Sequence, residues 1–263
     1  MSANSQRLLV SADLDYALPV PSPVLLQIAA ARLPDQQVIR ETLSVQGLAD
    51  AIHVAAHGDV GERSWLMPND RLLIHYEAEA LIDRPDHVIE ALPADPLPTL
   101  PADVIEYLLP SRYCPVDTMH AATEDLFGGL TGGASVLAVR DWIGGHLSYV
   151  PGASHAGTTA LDTFHAREGV CRDYAHLLVT LVRGLGIPAR LVSAYAPDVT
   201  PPDFHALAQV WLAGSWHLID ATGMAEPSHT AIIGVGRDAA DISFLTIFGS
   251  ATLNEQAVTV TLL

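Results

Sequence analysis

The sequence predicts an α+β chain in two parts, an all-β region followed by a unit in which helices precede a run of antiparallel strands. Three observations carry that expectation. Residues 8–86 show short apolar or alternating runs separated by turn residues. Residues 92–103 hold Pro93, Pro96, Pro98 and Pro101, a composition that favours an extended connector. Beyond it, segments of helical length come first and alternation returns only afterwards. The expected division is an all-β, sandwich-like domain over residues 1–95 and a helix-and-sheet domain over residues 96–263.

Each element follows from local pattern. Pro19, Pro21 and Pro23 fix an extended approach. Val38–Val45, Ala51–Ala56 and Leu72–Ala80 read as strands, punctuated by Gly58, Gly61, Pro68 and the pair Asn69 and Asp70. Val136–Tyr149 and Thr158–Ala166 have helical spacing, and Cys171–Leu185 is the longest apolar-rich helix. After Pro188 the strands are Ala189–Tyr195, Phe204–Leu212, Trp216–Asp220, Ala231–Val235 and Gln256–Leu262. No internal repeat is present, so solenoids and arrays are set aside.

Composition narrows the function classes. A formal charge of -17 opposes phosphate backbones and anionic lipid, so neither a nucleic-acid nor a membrane partner is expected. The start of the chain lacks the apolar centre of a secretory signal, and a cytoplasmic location is the expectation. Cys114 and Cys171 could pair, but two cysteines in 263 residues do not make a disulfide framework. Among the twelve histidines, His53 and His57 have ligand spacing for a helix, yet they fall in a strand-like region. No metal or other cofactor is expected.

Chemistry concentrates around Cys171. It opens the strongest helix, behind Gly169 and Val170, where free backbone amides favour a thiolate, the reactive form of cysteine. The plain alternative is a small apolar residue in the core. What shifts the balance is His205 at the start of a strand and Asp220 at the end of the next. A two-residue hairpin loop at Ala213 and Gly214 makes Leu212 face Ser215 and Leu207 face Asp220. His205 and Asp220 then share a face as diagonal neighbours, where a carboxylate can hold an imidazole tautomer. A three-residue loop would put them on opposite faces. Under the first register Trp211 and Trp216 also share that face, either screening the site or packing as core aromatics.

The order of these blocks carries a resemblance. Gly169-Val-Cys-Arg-Asp-Tyr-Ala-His-Leu177, Leu185-Gly-Ile-Pro-Ala-Arg-Leu-Val-Ser193, Asp203-Phe-His-Ala206 and Trp216-His-Leu-Ile-Asp-Ala-Thr222 resemble the Cys, His and Asp blocks of the bacterial transglutaminase-like superfamily. The likeness is strong over residues 136–223, and the front half resembles the β-rich domain that often precedes this core. The resemblance implies a papain/transglutaminase-like catalytic core in which Cys171 attacks an amide carbonyl, His205 shares the thiol's proton and Asp220 orients His205. A peptide or protein substrate would pass through a thioester, with hydrolysis slightly favoured over transfer to an amine. Two departures, Leu207 where an aromatic is common and Ala221 where proline is frequent, bear on substrate contacts and loop shape.

Other residues read more plainly. The Cys171 amide is the expected oxyanion donor, while Tyr149 reads as a packing residue and His176, about 140 degrees around the helix from Cys171, as structural. Asp173 suits the first helical turn by charge alone. Arg172 faces either substrate or solvent. Cys114, beside Pro115 in a loop-like stretch without a following helix, is expected to be inert. Gly152–Gly157 has one residue too many for a serine-hydrolase elbow. Alternatives to an enzyme of this type are a peptide-binding module on the same scaffold and, more remotely, a histidine-based metal enzyme.

Overall fold

A computed structural model describes residues 5–46, 51–55 and 60–263. The first part contains β1 (Gln6–Ala17), β2 (Val24–Leu26), β3 (Gln36–Gln46), β4 (Ile52–Val54), β5 (Arg63–Leu66) and β6 (Arg71–Ile82). Helices α1 (Ala102–Ile105), α2 (Val116–Phe127) and α3 (Gly132–His146) follow, then β7 (Ser148–Tyr149), α4 (Ala160–Ala166), β8 (Glu168–Gly169) and α5 (Cys171–Gly184). The chain continues through β9 (Ala189–Tyr195), β10 (His205–Leu212), β11 (Ser215–Ile219) and β12 (Ala231–Gly236) to α6 (Ala239–Ile242), β13 (Leu245–Ile247) and β14 (Thr252–Leu262).

Two four-stranded antiparallel sheets, in the orders β14-β1-β6-β3 and β13-β2-β5-β4, build the β-rich part. A third, β11-β10-β9-β12, is antiparallel throughout and carries α5 on one face. Alternation explains the strands of the first part: Leu72, Ile74, Tyr76, Ala78, Ala80 and Ile82 of β6 are buried, and the residues between them are not. The α5 pattern is different, because every residue from Asp173 to Arg183 is buried. A helix buried on all sides needs cover on all sides, and α2, α3 and α4 supply it opposite the sheet. Leu177, Leu178 and Leu181 are fully buried, each stabilising by about 1.5–3 kcal/mol, so truncation to alanine costs about 2–5 kcal/mol.

Strand pairing crosses the expected division after residue 95. Strand β14 pairs with β1, from Leu8 opposite Leu262 to Ala17 opposite Thr252, and β13 pairs with β2. The end of the second part therefore completes the sheets of the first. The two parts also share apolar contacts, since Tyr195, Ala231 and Ile233 belong to the same cluster as Leu8, Leu14 and Tyr76. The Tyr195 hydroxyl donates to the Ile28 carbonyl at 2.8 Å.

The proline-rich connector is docked rather than free. Leu92 and Pro93 carbonyls accept from the Gly133 and Ala213 amides at 2.8 and 3.1 Å, and the Asp95 carboxylate accepts from Gly214 at 3.0 Å. Proline keeps the segment extended, which leaves its carbonyls available to neighbours. A second difference concerns Cys114: a helix does follow it, since α2 starts at Val116 directly after Pro115. Among the described residues no helix is long and apolar enough to cross a membrane.

Candidate active site

Cys171 is the first residue of α5, after an extended Val170. The turn is pinned by Asp173, 1% exposed, whose Oδ2 accepts the Val170 amide at 2.9 Å and whose Oδ1 accepts the Ser154 hydroxyl at 2.9 Å. Gly169 makes room for that fold-back: a Cβ there would stand 2.7 Å from Asp173 Cβ. Strands β7 and β8 run parallel just before the turn, with Tyr149 opposite Gly169 and the Val150 amide donating to the Gly169 carbonyl at 2.9 Å.

The hairpin takes the two-residue form. Leu212 faces Ser215 and Ala208 faces Ile219, while Ala213 and Gly214 turn the chain with φ of 51° and 77°, the positive angles that suit the twist of paired strands. The diagonal relation between His205 and Asp220 follows, and His205 Nε2 lies 3.0 Å from Asp220 Oδ2 with both side chains at most 3% exposed. The contact makes Nε2 the protonated nitrogen of the neutral ring. No ordinary hydrogen bond reaches the buried Nδ1. The Cys171 thiol nevertheless stands close enough to raise the ring's proton affinity, so Nδ1 is the nitrogen left for sulfur.

Electrostatics reinforce this alignment. Burial, the largest influence on His205, disfavours its charged form, but the hydrogen bond to Asp220 and the nearby Cys171 thiol outweigh it and lift the imidazole to about 9. Burial likewise opposes the Asp220 charge, and the contacts to His205 and Thr222 hold the carboxyl below its ordinary range. Asp220 sits in a cage of donors: the Thr222 amide and hydroxyl at 2.9 Å on Oδ1, and the Met224 and Ala225 amides at 3.0 and 2.8 Å on Oδ2. Those amides leave the carboxylate ionised and immobile, the condition for orienting an imidazole.

Tyr149 departs from the expectation of simple packing. Its side chain interacts with both the amide and the thiol of Cys171, and burial followed by the sulfur's charge pushes the phenol up to about 12. A protonated donor thus stands beside the amide expected to receive an oxyanion. The parallel pairing of two-residue strands that places it there has no sequence pattern of its own. The Asp220 cage was missed as well, although a threonine two residues after an aspartate is a turn signal that could have suggested it.

The remaining candidates separate cleanly. The cleft beside Cys171 and His205 is not lined by Trp211 or Trp216. Those rings meet each other at 5.3 Å beside the hairpin turn, and Trp216 stacks on Arg190. His176 is fully buried, accepts the Ala239 amide at Nε2 and stacks on Tyr113. Burial lowers it to about 3. Cys114 is completely buried, which pushes its thiol up to about 11, so burial rather than a missing helix accounts for its inertness. Both cysteines are free. His57 lies outside the described residues, and His53 pairs with Glu62. Among the described residues no group of three or more His, Cys, Asp or Glu side chains could hold a metal ion.

A thiol at a helix start beside a buried imidazole and carboxylate on an antiparallel sheet is an arrangement compatible with nucleophilic cysteine chemistry. Comparison with known proteins agrees. The family model described as transglutaminase-like superfamily matches residues 121–221. A crystal structure of a candidate cysteine protease from Cytophaga hutchinsonii is similar at 31% identity over 99% of this chain and 92% of that one, with a TM-score of 0.91. An uncharacterised protein of Mycobacterium leprae is 34% identical over 148 residues, 52% of this chain and 53% of that protein. A Mycobacterium tuberculosis protein, also uncharacterised, is 31% identical over 110 residues, 35% of its length. The chain thus spans about half or less of these two curated relatives. It belongs to the transglutaminase-like superfamily.

Proposed function

We propose that the protein is a cysteine enzyme that cleaves or transfers amide or isopeptide bonds of peptides or proteins. The observation that carries this reading is the buried His205 and Asp220 pair at 3.0 Å with Nδ1 left for Cys171. His205 takes the thiol proton, and the sulfur attacks the substrate carbonyl carbon. The oxyanion that forms faces the Cys171 amide and the Tyr149 hydroxyl. As the C–N bond breaks, the imidazolium returns its proton to the leaving amine, and a thioester on Cys171 remains. Water, or a second amine, then attacks the thioester with His205 again as base, and the thiol is restored.

Hydrolysis is the favoured outcome, supported by likeness to a candidate cysteine protease over nearly the whole chain. The test is the rate of alkylation at Cys171 by iodoacetamide against pH, followed by mass spectrometry, in wild type and in His205→Ala. Rapid labelling near neutral pH that is lost in the variant is expected, and complete loss of amide or isopeptide turnover in Cys171→Ala with the fold retained should accompany it. Labelling no faster than that of a free cysteine peptide, and indifferent to His205, would overturn the reading and leave a binding module.

A further inference from the structure

Resting on Cys171 as the reacting thiol, we infer that the cleft selects molecules carrying a carboxylate beside the reacting carbon, through Arg112 and Arg172. The cavity against Cys171 and His205 has a volume of about 490 Å³, enough for a few residues of an extended peptide. Leu191, Phe204, Ile242 and Phe244 make much of its wall apolar. At the end beside the first turn of α5 the character changes. Two guanidinium groups converge on one ring there, Arg112 at 5.0 Å and Arg172 at 5.9 Å from the Tyr113 centroid.

Among the described residues neither cation has a carboxylate closer than 3.9 Å. No described carboxylate lies within ion-pair distance of Arg112, which is exposed at the mouth. Arg172 is held by Nη2, which donates to the Ser154 hydroxyl at 2.6 Å and the His155 carbonyl at 2.7 Å, while its Nε is buried with no partner. Its nearest carboxylate, Asp173 at 3.9 Å, is already engaged by Val170 and Ser154. Among the described residues Asp203 is the one carboxylate lining the cleft, beside His205, and its Oδ1 accepts from the Phe204 amide and from Gln256. In a chain of formal charge -17 the lining at the Tyr113 end of the cleft is a local reversal of sign, with Asp238 set behind it, 2% exposed, where its Oδ2 accepts the Tyr113 amide at 2.9 Å. Such a reversal concentrates anions at that spot, and a planar guanidinium with free donors recognises a carboxylate in particular. An acidic side chain and the free terminus of a peptide present the same group.

The test needs no known substrate. Alkylation of Cys171 is timed by mass spectrometry with iodoacetate and with iodoacetamide, which differ by one carboxylate, and the rate ratio is compared with that of a free cysteine peptide. A ratio above the peptide's is expected, falling about threefold in Arg112→Gln and in Arg172→Gln, the effect of one charge ~6 Å away in a water-like medium. The difference should shrink in ~1 M salt. Arg112 is exposed, so Arg112→Gln keeps the test decisive should Arg172→Gln not fold. A second arm asks which peptide slows labelling by iodoacetamide: an acidic one with an amidated end assigns a side chain, and a neutral one with a free end assigns the terminus. Protection by neither overturns the inference, as does a ratio equal to the peptide's that Arg112→Gln leaves unmoved, provided labelling is fast. Slow labelling by both reagents, unaffected by His205→Ala, instead removes the cysteine-enzyme reading beneath it.

Discussion

His176 and His205 are buried to almost the same degree, 0% and 2% exposed, and both stand near the cysteine helix. One is neutral down to about 3 and the other holds its proton up to about 9. Desolvation is the largest influence on each and acts in the same direction. The difference comes from the partners. His205 has a caged carboxylate at 3.0 Å. His176 has a backbone amide on one nitrogen and nothing on the other, and the charge of Asp238, which favours its proton, is opposed by those of Arg172 and Arg183. Burial with no carboxylate bonded to the ring therefore makes a silent histidine, and burial with an ionised carboxylate bonded to it makes one able to exchange protons with a thiol.

The largest effect that tests this contrast is in turnover. His205→Ala should lower amide or isopeptide turnover by about 10²–10⁴-fold, the usual contribution of a positioned acid–base group, whereas His176→Gln should leave the rate of Cys171 labelling close to wild type. Next comes Asp220→Asn. With the carboxylate charge gone, burial prevails, and the His205 midpoint followed by NMR should fall from about 9 to below the ordinary ~6.5. A midpoint that stays near 9 would assign the elevation to sulfur instead.

Stability should show opposite pH dependence for the two rings. The unfolded chain protonates His176 below ~6.5, while the folded chain refuses the proton until about 3. Stability accordingly drops as pH falls through that window, by at most ~1.4 kcal/mol per unit. His176→Gln, which keeps an acceptor for the Ala239 amide, should remove this component in urea titrations between pH 4 and 7. His205 contributes stability that is complete below ~6.5 and lost as pH rises to about 9, and Asp220→Asn should abolish it. The smallest effect lies at the hairpin that brings His205 to Asp220. Ala213 has φ of 51°, so Ala213→Gly should stabilise by about 0.5–1 kcal/mol without moving either midpoint.

What the sequence made legible was local. A helix opening at Cys171 and the register fixed by Ala213 and Gly214 both follow from short-range pattern, and together they place His205 beside Asp220. What stayed hidden was set by contacts distant in the chain. The pairing of β14 with β1 joins residues some ~250 positions apart, and alternation in either strand cannot say which partner it takes. The same holds for Tyr149, whose place depends on a parallel pair with β8, and for the connector, whose carbonyls find donors on α3 and the hairpin. Helix α2 was masked by Pro115, which reads as a break although proline is tolerated at a helix start.

The closure of the first sheet by β14 also bears on how the chain is made. During synthesis β1, β3 and β6 emerge early, but one edge of β1 has no partner until roughly 170 further residues have followed. At about 5–20 residues per second that interval is on the order of 10–30 s. Throughout it a row of unpaired amides and carbonyls is open to neighbouring chains. The nascent protein thus carries, over that interval, an open edge on β1 that β14 later seals.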